Sequence, residues 1–206
     1  MNSLQSACHV IVFAKAPVAG YAKTRLIPAL GAEGAARLAS RLLDHAVDEA
    51  LVAGLGTVEL CCAPNSRHAA FDAVARRQDL ELTDQGEGDL GLRMARALDR
   101  SLAKHRAALL IGTDAPSLDA AALRCAGAAL DSHDAVFVPA LDGGYVLVGL
   151  RRRMPQLFDD MPWSTSGVMQ RTRERLARAG VSHVELAPLR DIDEPADLAY
   201  FPAGWL

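Results

Sequence analysis

Apolar residues fall into two patterns that alternate along the chain. Short continuous apolar runs are typical of strands buried on both faces, and longer stretches with an apolar residue every third or fourth position are typical of helices. The strand-like runs are HVIVFA (9–14), TVELCCA (57–63), LELT (80–83), ALLIG (108–112), AVFVPA (135–140), YVLVGL (145–150) and HVELAP (183–188). The helix-like stretches are 33–53, 68–77, 89–105, 119–130 and 166–180. In the third of these, the spacing predicts an apolar face formed by Leu92, Ala95, Leu98 and Leu102.

The order of these elements predicts the fold class. Strands that alternate with helices form a mostly parallel sheet with helices on both faces, which is a three-layer α/β/α arrangement. The runs 135–140 and 145–150 are an exception, because the LDGG turn between them is too short for a parallel crossover and predicts an antiparallel excursion. No internal repeat or linker interrupts the pattern, so we expect residues 1–206 to form a single domain.

Composition and charge narrow the range of partners. The 206 residues carry a formal net charge of −3, and half of them are hydrophobic. No segment rich in arginine and lysine is interleaved with aromatic residues, so nucleic acid is not an expected partner. No apolar stretch reaches the roughly 18 residues of a membrane span, and the first residues lack the pattern of a signal peptide. We therefore expect a soluble, cytoplasmic protein that does not insert into membranes.

Cysteine and histidine spacing gives no sign of a zinc site. Cys8, Cys61, Cys62 and Cys125 form no CxxC pair, and adjacent cysteines rarely bridge each other, so buried thiols in a reducing compartment are expected. The six histidines are scattered, without HxH or HxxxH spacing. The sequence leaves the oligomeric state open, a homodimer included.

The stretch FAKAPVAGYAKTRL (13–26) carries the strongest chemical signal. It follows the first strand and contains Lys15, Gly20, Lys23 and Arg25. Glycine allows close approach of the backbone, lysine supplies a point charge and arginine a planar fork, which together suit a polyphosphate. In open α/β sheets the ligand crevice lies outside the carboxyl ends of the strands, where this loop begins. A solvated basic loop is the alternative interpretation.

Two further strand ends deliver carboxylates toward the same edge of the sheet. The run LLIGTDAPSL brings Gly112, Thr113 and Asp114 to the end of a buried strand, and RDIDEPADL brings Asp191 and Asp193. Magnesium takes one or two carboxylates together with phosphate oxygens and waters, so Asp114 and Asp193 are candidate metal ligands. Each aspartate is also compatible with a helix cap or a turn.

Three weaker segments are candidates for contacts with substrate. Each has a structural alternative: Asp89 also suits a helix cap, the LDGG glycines a hairpin turn, and Trp163 a place in the core. The candidate substrate-binding residues are Asp89, Asp142, Gly143, Gly144, Tyr145, Trp163, Ser164 and Thr165.

Six segments in order resemble a known bacterial family. These are KAPVAGYAKTRL, QGEGDLGLRM, IGTDAPSL, LDGGYVLVGL, MPWSTS and RDIDEPADL, which together reach from about residue 9 to 200. The series resembles uncharacterised glycosyltransferase candidates, a domain of unknown function within the nucleotide-diphospho-sugar transferases of glycosyltransferase-A type fold. It is also similar to the guanylyltransferases that activate phospholactate or phosphoenolpyruvate. The glycine-rich LxAGxGxRM loop of sugar nucleotidyltransferases and the strict DxD motif of many glycosyltransferases are absent.

The resemblance implies a transferase that uses a nucleotide and a divalent cation, magnesium or manganese. It implies that Lys15, Lys23 and Arg25 hold phosphates, with Gly20, Gly112 and Thr113 beside them. It also implies that Asp114 and Asp193 bind the metal, with Lys23, Arg25 and Asp114 catalytic. Nucleotidyl transfer from a nucleoside triphosphate to a small phosphorylated acceptor is the expectation. Glycosyl transfer from a nucleoside diphosphate sugar and non-catalytic nucleotide binding are the alternatives.

Overall fold

A computed structural model describes residues 8–77, 80–201 and 205. The first seven residues, in which the sequence predicts no signal peptide, lie outside the described residues. The strands are β1 (His9–Lys15), β2 (Val58–Ala63), β3 (Glu81–Asp84), β4 (Ala108–Ile111), β5 (Ala135–Pro139), β6 (Tyr145–Leu150) and β7 (His183–Glu185). The helices are α1 (Ile27–Ala53), α2 (Ala69–Arg77), α3 (Leu90–Leu102), α4 (Ala120–Ala129) and α5 (Val168–Arg178). Three 3₁₀ turns cover Thr24–Leu26, Pro155–Leu157 and Pro195–Tyr200.

The described strands form one sheet of seven, in the order β3-β2-β1-β4-β6-β5-β7. β1 runs parallel to β2 and β4, and β5 runs parallel to β7. β6 lies between β4 and β5 and is antiparallel to both. The antiparallel excursion predicted from the short LDGG turn is thereby confirmed, together with the mostly parallel α/β architecture.

Alternation along β1 divides the core into two layers. Val10 and Val12 point to the face covered by α1, α2 and α4, whereas Ile11 points to the face covered by α3 and α5. Successive side chains of a strand point to opposite faces, so a strand buried on both faces reads as the continuous run HVIVFA. Helices on both faces complete the predicted three layers. No helix in the described part of the chain is both long and apolar enough to cross a bilayer.

Helix α1 begins earlier than the predicted residue 33, because a first turn starts at Ile27. Pro28 fits this turn, where a backbone N–H would have no partner in the helix. The backbone then leaves helical values at Gly31 (φ 69°, ψ 165°) before the long helix continues. This break hid the first turn from the apolar periodicity.

The predicted apolar face of α3 holds for Leu98, which is buried, and in part for Ala95 and Leu102, but it is wrong at Leu92. Leu92 is 53% exposed, and the buried positions are Gly91, Met94, Ala97, Leu98 and Ser101. A Cβ atom at Gly91 would lie 2.5 Å from the carbonyl oxygen of Phe158 and 2.7 Å from Trp163 Nε1. The helix therefore packs closely through its glycine side, which a search for large apolar residues overlooks.

The predicted burial of the thiols holds for three of the four cysteines. Cys8, Cys61 and Cys62 are buried, and burial raises the pKa of the Cys8 and Cys62 thiols to about 12. Cys125 is exposed, which contradicts the expectation of a buried thiol there. Helix α4 buries Leu123 and Ala126, and the 100° step of the helix turns Cys125 away from the sheet.

Candidate functional site

A cleft of about 420 Å³ opens at the carboxyl ends of β1 and β4. Strands β2 and β3 extend the sheet on one side of β1 and β4 lies on the other, so the strand order reverses here. Such a reversal is the usual place for a ligand in an open α/β sheet. Polar and charged side chains from four separate segments line the cleft: Lys15, Tyr21, Lys23, Thr24, Arg25, Thr113, Asp114, Tyr145 and Asp193.

The first-strand loop supplies two accessible cations. Lys15 is the last residue of β1 and is exposed, with its Nζ 4.1 Å from the centre of the Tyr21 ring. The Arg25 side chain is 60% exposed, and its Nη1 donates to Asp193 Oδ2 over 2.7 Å. Gly20 has a positive φ of 77°, a conformation that glycine adopts easily, and it turns the loop back toward the cleft.

Lys23 differs from these two cations because its side chain is only 6% exposed. Its backbone is left-handed (φ 49°, ψ 42°), which is uncommon for a residue other than glycine. Its Nζ lies 2.6 Å from the carbonyl oxygen of Ile192, 2.6 Å from Asp114 Oδ1 and 3.8 Å from Asp193 Oδ1. The ammonium group therefore joins the two segments that carry the carboxylates.

Asp114 lies just beyond β4, with its side chain 50% exposed. Its backbone carbonyl accepts from the N–H of Ile192 over 2.8 Å, which fixes the closing segment against the end of β4. Ile192 is fully buried with Leu26 beneath the start of α1. The cap of the following helix is Asp119, whose carboxylate accepts from the N–H of Ala122. Asp114 is thus not the cap of α4.

Asp193, like Asp114, is not the cap of the element that follows it. The 3₁₀ turn after it is capped by Glu194, and the Asp197 carboxylate accepts from the N–H groups of Glu194 and Asp193. The Asp193 carboxylate remains directed to Lys23 and Arg25.

Four carboxylates lie at this edge of the sheet, and Lys23 and Arg25 pair with two of them. Burial raises the pKa of Asp191, and the neighbouring carboxylates of Asp142, Asp114 and Asp193 raise it further.

The donor set of Asp114 and Asp193 fits a magnesium ion. Both carboxylates approach the same point, since one oxygen of each lies within 3.8 Å of Lys23 Nζ. Within the described ranges, no group of three or more histidine, cysteine, aspartate or glutamate side chains forms a metal centre. Magnesium rarely occupies such a cage and is usually held by one or two carboxylates plus phosphate oxygens.

Several predicted substrate contacts hold the chain's own backbone in place. Asp89 caps α3, because its carboxylate accepts from the N–H of Leu92 over 2.8 Å. Asp142 accepts from the N–H of Gly144 over 2.8 Å and lines a smaller hollow that also contains Arg25 and Asp193. A Cβ atom at Gly143 would lie 2.2 Å from the carbonyl oxygen of Ser166, so this glycine permits close packing before α5.

The aromatic candidates divide between cleft and core. Tyr145 lines the cleft at the start of β6, and burial raises the pKa of its hydroxyl. Trp163 packs edge-on against it, with ring centres 6.3 Å apart, and joins the core beside α3. Ser164 has a positive φ of 61°, and Thr165 Oγ1 donates to the carbonyl oxygen of Pro162 over 2.8 Å. Trp163, Ser164 and Thr165 do not line the main cleft.

The sequence did not reveal the apolar half of the cleft. Phe13, Leu90, Met94, Leu110 and Val146 line it, and they belong to β1, α3, β4 and β6. In the apolar pattern of the sequence, these residues cannot be told apart from core residues. Only the topology of the sheet could have identified them, since each is near the cleft end of its own element.

A buried glutamine is the other residue that the sequence did not single out. Gln85 Nε2 donates to the carbonyl oxygens of Ala14 and Cys61, and Gln85 Oε1 accepts from Arg93. The side chain joins the ends of β1 and β2 to the start of α3. Gln85 directly follows a strand and precedes the GEGD turn, and this position in the sequence could have marked it as a residue of interest.

Comparison with known proteins gives a consistent result. Residues 46–165 match a family of uncharacterized proteins conserved in bacteria, DUF2064. The chain belongs to this family. It is similar to a candidate nucleotide-diphospho-sugar transferase from Desulfovibrio desulfuricans G20, with 27% identity, a TM-score of 0.83, and coverage of 91% of this chain and 82% of that one. The resemblance seen in the six sequence segments is therefore confirmed.

Two more distant structures have the same fold as this chain. One is 4-diphosphocytidyl-2C-methyl-D-erythritol synthase from Anaerococcus prevotii DSM 20548, at 9% identity and a TM-score of 0.64, covering 95% of this chain and 96% of that one. The other is CMP:2-keto-3-deoxy-manno-octonic acid synthetase complexed with CTP, at 13% identity and a TM-score of 0.60, with the same coverage. A search of curated proteins finds no match.

Proposed function

We propose that the protein is a magnesium- or manganese-dependent transferase that moves the nucleotidyl group of a nucleoside triphosphate to a small phosphorylated acceptor. The observation that carries this proposal is the composition of the cleft. Two accessible cations, Lys15 and Arg25, line the same cleft as the carboxylates of Asp114 and Asp193. Cations suit the phosphates of a donor and carboxylates suit the metal that accompanies them.

In this reaction an oxygen of the acceptor phosphate attacks the α-phosphorus. The bond from the α-phosphorus to the oxygen that bridges to the β-phosphate breaks, and pyrophosphate leaves. Arg25 would neutralise the pyrophosphate and Lys15 would contact the α- or β-phosphate, so that negative charge is stabilised where it develops. A phosphate nucleophile needs no general base, and the described residues that line the cleft include no histidine.

Asp114 and Asp193 would hold the divalent cation. When bound, the cation neutralises phosphate charge and orients the phosphates for in-line displacement. The apolar half of the cleft, with Phe13, Leu90 and Met94, offers a water-poor surface for the base of the nucleotide.

A second candidate function is glycosyl transfer from a nucleoside diphosphate sugar. It is favoured by the 27% identity to a candidate nucleotide-diphospho-sugar transferase over most of this chain. We favour nucleotidyl transfer because a pyrophosphate leaving group carries more negative charge than a nucleoside diphosphate, and Lys15 and Arg25 in the cleft are placed to neutralise it. The two distant structures named for cytidyl and CMP compounds support the same choice, through their fold.

The test begins with a panel of nucleoside triphosphates and nucleotide sugars, each with magnesium, read by thermal shift. A ligand that binds the folded state raises the melting temperature by mass action, so the panel identifies the donor class. Coupled assays for pyrophosphate and for nucleoside diphosphate then follow on the same donors. Pyrophosphate release that requires both magnesium and an acceptor supports the proposal.

Two other results would assign a different function. Release of nucleoside diphosphate from a nucleotide sugar, with no pyrophosphate from any donor, would assign glycosyl transfer. Nucleotide binding without turnover of any donor, and without dependence on magnesium, would assign a non-catalytic binding module.

A further inference from the structure

Lys23 has surroundings that a phosphate ligand would not need. Its side chain is 6% exposed, whereas the side chain of Arg25 is 60% exposed and Lys15 is exposed as well. A lysine ammonium has three N–H donors. Two of them reach the carbonyl oxygen of Ile192 and Asp114 Oδ1 over 2.6 Å each, and Asp193 Oδ1 lies 3.8 Å from Nζ, within ion-pair range. A side chain so little exposed, with its charge balanced by two carboxylates of its own chain, is poorly placed to bind a phosphate.

The left-handed backbone of Lys23 fits the same interpretation. The residue opens the 3₁₀ turn Thr24–Leu26, and its carbonyl accepts from the N–H of Leu26. Leu26 is fully buried beside Ile192, so the turn is anchored in the core next to the segment that Lys23 holds. An uncommon conformation persists where the surrounding structure fixes it, and such positions concentrate at functional sites.

We propose that Lys23 is an internal counter-ion that a divalent cation displaces, and therefore a positioning residue and not a phosphate ligand. The inference rests on the proposed function, because it concerns the metal that Asp114 and Asp193 would hold. Without the cation, the ammonium group keeps the two carboxylates together at one edge of the cleft. When the cation binds, it takes the place of the ammonium group at Asp114, and Lys23 moves away from that carboxylate.

The first experiment measures Mn²⁺ affinity by titration calorimetry without nucleotide, for wild type, Lys23→Met and Lys15→Met. Methionine keeps an apolar stem and removes the charge. We expect Lys23→Met to bind Mn²⁺ roughly tenfold more tightly than wild type, because a positive charge beside the carboxylates is lost. We expect Lys15→Met to match wild type. With EDTA present, Lys15→Met should weaken triphosphate binding and Lys23→Met should not.

The second experiment uses wild type and so does not depend on how well the variants fold. The chain has three lysines, Lys15, Lys23 and Lys104. Their acetylation rates can be followed by mass spectrometry, with exposed Lys104 as the internal control. We expect Lys23 to react slowly without metal and faster when Mg²⁺ saturates the protein, while the rate at Lys104 stays constant.

The outcomes separate this inference from the proposed function. The inference is overturned alone if Mn²⁺ binds wild type and Lys23→Met equally, or if saturating Mg²⁺ leaves the Lys23 rate unchanged. Weaker triphosphate binding in Lys23→Met under EDTA, as large as that in Lys15→Met, would also overturn it and restore a phosphate role. If neither wild type nor Lys23→Met binds a divalent cation, the metal in the proposed function fails and the inference fails with it.

Discussion

Two groups of charged residues lie at opposite ends of α3 and of the strands beside it. At the carboxyl end of the sheet, Leu90 and Met94 of α3 line the cleft that contains Asp114 and Lys15. At the other end of the helix, Arg100 and Ser101 enter a buried polar network with residues of β1, β2 and β3. Both groups combine cations and carboxylates, and they differ in their access to water.

The network at the amino end is mostly buried, with the Arg100 side chain 29% exposed. Glu59 is 2% exposed and accepts from Thr83 Oγ1 over 2.5 Å and from Arg100. His9 Nδ1 lies 2.7 Å from Ser101 Oγ, and the His9 ring stacks on His105 with ring centres 4.5 Å apart. Polar groups that are paired within their own chain in this way hold the strands and α3 together.

The cleft group is only half enclosed. Its carboxylates are 50% and 38% exposed at Asp114 and Asp193, so a ligand can exchange with their internal partners. Changes at the carboxyl end should affect binding and catalysis, and changes at the amino end should affect the free energy of unfolding.

The largest effect should come from Asp114→Asn. We expect turnover to fall by about 10²–10³-fold or more, because the cation that Asp114 would hold no longer stabilises the negative charge of the reacting phosphates. The free energy of unfolding should fall by only about 1 kcal/mol, because the amide oxygen of the variant can still accept from Lys23. Steady-state kinetics and urea unfolding measure the two quantities. Turnover equal to that of wild type at saturating magnesium would refute the assignment of Asp114.

Glu59→Gln should show the opposite pattern. It removes the carboxylate that pairs with Arg100 in a buried site, which should lower the free energy of unfolding by about 3 kcal/mol. Glu81→Gln is the matched control, because Glu81 is the register partner of Glu59 on β3 and is exposed. The control should change stability by less than about 0.5 kcal/mol. Unchanged stability of Glu59→Gln would show that the network does not support the fold.

The two regions also differ in how far the sequence could predict them. Continuous apolar runs gave the strands of the described chain, and glycines and carboxylates after those runs marked the cleft end of β1 and β4. The amino-end network could not be predicted, because His9, Glu59, Thr83 and Arg100 meet only through the register of three strands and the rotation of α3.

Within the cleft, the sequence also could not predict the direction in which each side chain points. Lys15, Lys23 and Arg25 look equivalent in sequence, but in the structure Lys23 has a left-handed backbone and a side chain that is only 6% exposed. The face of α3 was mispredicted for a related reason. Gly91, which packs against Phe158 and Trp163, carries no hydrophobic signal.

Arg25→Ala should have an intermediate effect, confined to the cleft. We expect triphosphate affinity to fall about tenfold to a hundredfold and monophosphate affinity to fall much less, because the lost contacts are to the outer phosphates. Arg152→Ala is the control, since Arg152 is an exposed arginine that pairs with Asp134 away from the cleft. Titration calorimetry gives both affinities. Equal losses for mono- and triphosphate would assign Arg25 to holding Asp193 in place and not to the phosphates.

The smallest effect should be a dependence of stability on pH that originates at the amino end. Burial is the largest influence on the pKa of His9, and it lowers this pKa. Glu59 and Glu81 raise the pKa, whereas His105 and Arg100 lower it, and the net result is a pKa below the ordinary value. As the pH falls through about 6.5, His9 in the unfolded chain binds a proton while the folded chain stays neutral there, so stability decreases. Each unit by which folding lowers this pKa contributes about 1.4 kcal/mol, and the contribution is complete above about pH 6.5.

Urea unfolding between pH 8 and 5 should show this decrease in wild type and a flatter profile in His9→Gln. A profile of His9→Gln as steep as that of wild type would assign the pH dependence to other groups, and the amino-end network would then lack a titrating member.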